Sequence, residues 1–206
     1  MSDATAAGYA WLEERYPDLT SAYCLTIARG FTPAALLKAV GAEPTGTVVG
    51  VEPMHDLSFE AWDRHHGDRL LVGAAAVGEW AVMVEVNGYL GSLDEYLRPL
   101  AADGGRAVSH FRNENAVDRF NYFDDGGLRL YFEPLFAFHR DGPDAEVLAP
   151  EMLAAGFDLG DDEETEPDYE NHTEAAWALG ERLTGVRVTP ELLETGVFAC
   201  GLVTVR

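Results

Sequence analysis

The stretch HFRNENAVDRF, residues 110–120, sets one histidine, two arginines, two acids and two amides within eleven positions. Each type has a chemistry. An imidazole such as His110 moves protons near neutral pH, and a guanidinium such as Arg112 grips an anionic group at two points. A carboxylate such as Glu114 can serve as a general base. Asn113, Asn115 and Asp118 add hydrogen-bonding groups around them. Glu85 is a further candidate, because Met83, Val84 and Val86 around it are apolar. A carboxylate in such a setting must be paired or have a raised pKa. Pairing with Arg119 or Arg129 is the structural account, and a catalytic carboxylate the chemical one. Glu85, His110, Arg112 and Glu114 thus form a candidate catalytic set for hydrolysis of a small molecule. The plainer account of 110–118 is polar loop chemistry where a strand ends.

A second cluster, MHDLSFEAWDRHHGD at 54–68, carries His55, Asp56, Asp63, His65, His66 and Asp68, all possible metal ligands. The His55-Asp56 pair is similar to the metal-binding pair of helical phosphohydrolases. Those enzymes also need a histidine well upstream, and residues 1–54 contain none. Surface histidines around a short helix are therefore expected, with neither metal nor cofactor.

Charge is the strongest signal. The net charge is −22, from 36 acidic against 14 basic residues. Between Arg140 and Arg182 there is no basic residue, and 141–181 holds fourteen acids. The densest part is DLGDDEETEPDYE, where Asp158, Asp161, Asp162, Glu163, Glu164, Glu166, Asp168 and Glu170 crowd together. A calcium loop needs a glycine at its sixth position, which this stretch lacks. An exposed loop over about 158–170 is expected, either simply solvated or serving as the docking surface for a basic protein. The charge disfavours direct binding to nucleic acid or to an anionic membrane, since both require a positive patch, and neither is expected as a partner.

Other chemistries are absent as motifs: no phosphate-binding glycine loop, no G-x-S-x-G and no H-E-x-x-H. Lys38 is the single lysine, which leaves little room for Schiff-base chemistry. Cys24 and Cys200 stand far apart with no CxxC and read as buried thiols. The first seventeen residues have neither the basic nor the apolar region of a signal peptide. The longest apolar stretch, 70–86, is interrupted by Glu79 and Glu85 and reads as core strands, not a membrane span. The expected setting is cytoplasmic.

The elements that must position these groups follow from periodicity. Tyr9, Leu12 and Tyr16 indicate a short helix stopped by Pro17, and Thr32-Pro33 opens another through Val40. Strands are expected at AYCLTIARG, TVVGVEP, RLLVGAAAV, EWAVMVEV, RAVSHF, RFNYF, LRLYFEPLFAF and VFACGLVTV. Glu52 and Glu133 are thereby read as strand carboxylates. Asn87-Gly88 predicts a hairpin returning through YLG, and Asp125-Gly126-Gly127 a second turn. Ser58 is expected to cap a short helix, Ser92 with Glu95 to form a capping box, and Asn171 with Glu174 another. Pro150 to Ala155 is expected as a short helix. The sum is one α+β domain over 1–206, with a mainly antiparallel, hairpin-rich central sheet and helices toward the N- and C-terminal ends. Trp80, Val82, Val84, Leu130, Phe132 and Trp177 are its expected core.

The succession YCLTIARG, GEWAVMVEVNGYLG, FNYFDDG leading to FEP, and LTGVRVT resembles a family of acidic proteins of about 200 residues from high-GC actinobacteria. That family has no assigned function. The resemblance implies a shared fold and a cytoplasmic bacterial setting, and carries over no catalytic residue. The leading expectation is an acidic protein-binding module, such as an immunity protein or an inhibitor masking a basic partner. The alternative is the small-molecule hydrolase built on 110–118 and a strand glutamate.

Overall fold

The computed structural model describes residues 2–115, 117–160 and 171–205. A 3-10 turn (Ala6–Tyr9), α1 (Trp11–Arg15) and α2 (Pro17–Ser21) lead into β1 (Tyr23–Arg29). Then come α3 (Pro33–Ala39), β2 (Glu43–Val49), α4 (Glu52–His65), β3 (Arg69–Val77), β4 (Trp80–Val86) and α5 (Asp94–Leu100). The second half runs β5 (Arg106–Arg112), β6 (Asp118–Asp124), β7 (Gly127–Phe132), β8 (Arg140–Asp141), α6 (Ala145–Ala155), α7 (His172–Thr184), α8 (Pro190–Thr195) and β9 (Val197–Thr204).

The protein is α+β. The nine strands among the described residues form one sheet in the order β2-β9-β3-β4-β1-β5-β6-β7-β8, and every neighbouring pair is antiparallel. Alternation along each strand gives the sheet two buried faces. Tyr23, Leu25 and Ile27 of β1 belong to the core shared with α4, α6 and α7. Ala28 belongs to the core on the other side, with Leu36 and Leu37 of α3 and Leu97 and Leu100 of α5. Helix α7 is buried from His172 to Glu181 because its many alanines and Gly180 let it lie close on the sheet between its neighbours. Val82, Val84, Leu130, Phe132 and Trp177 are buried as expected, while Trp80, beside the turn of its hairpin, is partly covered.

Several local expectations give way to tertiary structure. Glu52 is not on a strand. It opens α4, where Pro53 fits the first turn because its missing N–H has no intrahelical partner. Ser58 lies inside that helix, where its hydroxyl donates to the Val86 carbonyl at 2.7 Å. Asn87 does adopt a left-handed conformation, φ 53°, as a tight turn requires. No returning strand follows, because β3 and β1 already occupy both edges of β4. The chain passes instead into a 3-10 turn at Leu90–Ser92. Ser92 donates to Tyr89 O at 2.7 Å, and α5 begins after Leu93 without a side-chain cap. Pro17 opens α2 besides ending α1, and Pro150 sits within α6. Asn171 occupies the N-cap of α7, but its side chain makes no capping bond. The Asp125-Gly126 turn forms with both residues at positive φ, 49° and 71°, matching the right-handed twist of β6 and β7. Among the described residues no helix is long and apolar enough to cross a membrane.

Candidate functional site

His110 and Arg112 alternate along β5 onto one face, and the register sets Arg112 beside both Tyr23 of β1 and Asp118 of β6. Helix α7 lies across them and adds His172, Thr173 and Trp177. Asp118 is the hub. Its Oδ2 accepts from Arg112 Nη1 at 3.1 Å and lies 3.0 Å from His172 Nε2. Arg112 Nη1 also donates to Thr173 Oγ1 at 3.1 Å and approaches His172 Nε2. Trp177 Nε1 donates to the Tyr23 hydroxyl at 2.5 Å, and that hydroxyl stands 2.6 Å from His110 Nδ1. An indole N–H can only donate, so Tyr23 accepts from Trp177 and is free to donate to Nδ1. The ring proton of His110 then sits on Nε2, 3.8 Å from Asp118 Oδ1.

Burial sets the charges. The His110 side chain is 2% exposed, and burial outweighs the neighbouring Asp118 charge to bring its pKa down to about 4, leaving it neutral at pH 7. Burial pushes Asp118 the other way. The hydrogen bond from His172 and the charges of His110 and Arg112 overcome it and hold the carboxyl below its ordinary value. Burial also raises Glu174, in the first turn of α7, and raises Glu133 with help from the Asp118 charge. The space touching His110, among the described residues, is about 10 Å³ and lined by apolar groups such as Leu25, Phe120 and Trp177. That is room for one water at most. Chemically the cluster is an enclosed charge network that fastens α7 to the sheet.

The sheet divides the expected catalytic set. Glu85 pairs in register with Cys24, whose side chain lies on the face opposite Tyr23, so Glu85 is separated from His110 and Arg112 by the sheet itself. Glu114 is at the exposed tip of the β5–β6 turn, where Asn113 Oδ1 accepts from the backbone N–H of Asn115 at 3.0 Å and of Val117 at 3.1 Å. The expected arginine partner of Glu85 is also corrected. Arg119 reaches Asp94 at 3.7 Å and covers Tyr131, and Arg129 grips Asp144 at 2.6 and 2.7 Å. Glu85 instead accepts from the backbone N–H of Leu90 at 2.8 Å and of Gly91 at 3.1 Å, and is fully buried. Burial raises it to about 7 against the lowering effect of those donors. The 3-10 turn after Asn87 is thus folded around this carboxylate.

His55 and Asp56 stand on α4, 3.5 Å apart. Among the described residues no group of three or more His, Cys, Asp or Glu is arranged to hold a metal ion. Helical geometry spreads the 54–68 cluster around α4 and past its end, where His66 turns the chain with φ 53°. A cleft of about 580 Å³ lies beside the start of α4. Leu19, Val51 and Val86 form its floor, with carboxylates on the rim. A groove of about 220 Å³ follows the other flank of α4, against β2. Of the expected docking acids, Asp158 is exposed and accepts from Gly160 N at 2.9 Å. Asp161, Asp162, Glu163, Glu164, Glu166, Asp168 and Glu170 lie outside the described residues.

Tyr23, His172, Thr173 and Trp177 complete the network and were not legible as site residues. Asn171-His172 at the foot of the acidic stretch was the one available signal, since a helix start is where such groups meet a neighbouring strand.

Compared with known proteins, the model of a family described as "Family of unknown function (DUF6461)" matches residues 2–206. No curated protein and no solved structure matches the chain.

Proposed function

The chain belongs to this family of unknown function, and on that premise we propose that it is an acidic, cytoplasmic protein-binding module whose partner is basic. An immunity protein, or an inhibitor that masks a cationic protein, is the model case. The observation that carries the reading is the fourteen acids over 141–181 with no basic residue among them. Dense like charge repels itself, and a cationic partner relieves that repulsion.

The surroundings support this. The arginines near the ends of the segment are engaged by those of its carboxylates that lie outside 158–170: Arg129 by Asp144 at 2.6 Å, Arg140 by Glu146 at 2.9 Å and Arg182 by Glu151 at 2.7 Å. Both ends of the stretch are tied to the core. Phe157 packs edge-on against Phe132, with centroids 5.1 Å apart, and His172 meets Asp118. The chain on either side of 161–170 is therefore fixed to the core. The hydrolase reading has less to stand on, because Glu85 and the 110–118 cluster occupy opposite faces of the sheet.

The test is affinity capture from the organism that encodes the protein, at low and high salt, with wild type and with Asp161→Asn, Asp162→Asn, Glu163→Gln, Glu164→Gln combined. The expected result is a basic protein held at low salt by wild type, with slower association to the variant. Equal association of both at low salt would refute the assignment of docking to this stretch.

A further inference from the structure

We propose that the flank of α4 bordering the wide cleft is a docking surface for a protein segment presenting an arginine or lysine followed by apolar side chains. The proposal shares with the reading above only the sign of the partner's charge. The residues it is argued from lie outside 158–170 in the sequence.

The first observation is the cleft. Its floor is apolar and its rim carries Asp18, Glu52, Asp56 and Glu194 against the single guanidinium of Arg15, which is itself paired with Glu194. Tyr16 leans on the same carboxylate, donating to Glu194 Oε1 at 3.2 Å. A cationic head with an aliphatic stem fits such a site, the stem on the floor and the charge at the rim.

The second observation is the helix flank that continues from it. Residues 55, 59 and 62 share one stripe of α4, since three- and four-residue steps return to the same face. The His55 and Phe59 rings lie with centroids 4.8 Å apart. Phe59 and Trp62 are each 43% exposed, large aromatic surface left facing outward. The neighbouring stripe, further outward, is Glu52, Asp56 and Asp63, all exposed. Aromatic surface bordered by carboxylates complements a segment that is both basic and apolar.

Reach selects a segment over a free amine. From residue 55 to residue 62 the helix advances about 10 Å. A small amine fills the cleft and leaves the aromatic stripe uncovered. Three extended residues span about 10 Å and cover both.

The probe is the blocked peptide Arg-Ser-Phe-Ser-Leu, whose alternate side chains point one way, titrated into the full chain and followed by the His55 ring and Trp62 indole NMR signals. Controls are the same peptide with citrulline for arginine, and agmatine. The expected result is that the arginine peptide moves both signals. Glu52→Gln with Asp56→Asn should weaken it about tenfold, given modest gains per exposed charge pair. Phe59→Ala should weaken it independently of charge. All three positions are exposed, and unchanged melting temperatures confirm that the variants fold. The quadruple variant at 161–164 should bind the peptide as wild type does, which separates this surface from the acidic stretch. Three results would overturn the proposal: neither signal moves, the citrulline peptide binds equally, or agmatine binds as tightly as the peptide. The last would make the cleft a small-amine site.

Discussion

Two buried groups on opposite faces of the sheet should pull the pH dependence of stability in opposite directions. His110 is held neutral, its pKa brought from 6.5 down to about 4 by burial. The unfolded chain takes up this proton at a higher pH than the native state, so the contribution of His110 is complete above 6.5 and is lost as pH falls through about 4. That displacement corresponds to roughly 3 kcal/mol. Glu85 is raised by burial from 4.5 to about 7. Its native state holds the proton more tightly than the unfolded chain, so its contribution is complete below 4.5 and is lost as pH rises through about 7, again by roughly 3 kcal/mol. Between pH 4.5 and 6.5 the two nearly cancel, and wild type should vary little from these groups. The assay is urea unfolding of wild type, His110→Gln and Glu85→Gln from pH 4 to 8. The stability of wild type relative to His110→Gln should grow as pH rises from 4 to 6.5. Relative to Glu85→Gln it should shrink as pH rises from 4.5 to 7. If either difference is independent of pH, the corresponding side chain does not occupy the dry site described.

Asp118→Asn removes the charge that Arg112 and His172 surround and should cost about 2–4 kcal/mol at pH 7, because a partly buried guanidinium is left uncompensated. Asp118 is held below its ordinary value, so this gap should persist down to about pH 4 and close below it, as read by denaturant unfolding at each pH. Trp177→Ala should destabilise by about 3–5 kcal/mol, since the indole is 3% exposed and bonded to Tyr23; an unchanged melting temperature would place α7 outside the core. Gly91→Ala should cost about 1–3 kcal/mol in thermal melts, because its added carbon would fall 2.3 Å from Thr26 Oγ1 and 2.6 Å from Cys24 Sγ. Glu114→Ala, at an exposed turn tip, should leave the melting temperature unchanged.

The sequence by itself determined what is local. Apolar and aromatic runs marked β1 and β3 to β7, Thr32-Pro33 marked the start of α3, and Asp125-Gly126 marked a turn that forms as read. The antiparallel α+β class followed from those strands and turns, and the charge of 141–181 needs no coordinates at all. What depends on which strands become neighbours was decided by tertiary structure. Asn87-Gly88 has the chemistry of a hairpin, but a hairpin needs a free strand edge, and β4 has none. Glu52 follows a β-branched run, but it heads a helix because α4 covers the sheet beside β3. Glu85 sits among apolar residues as expected, yet its partners are backbone groups of the following turn, which no pattern of side chains announces. The candidate site shows the same limit. His110, Arg112 and Asp118 are close in sequence and meet through strand pairing, whereas Tyr23, His172 and Trp177 join them from far along the chain. Odd and even positions of a strand face opposite ways, so Glu85 is separated from Arg112 by a parity that becomes readable only once the register across β4, β1 and β5 is fixed.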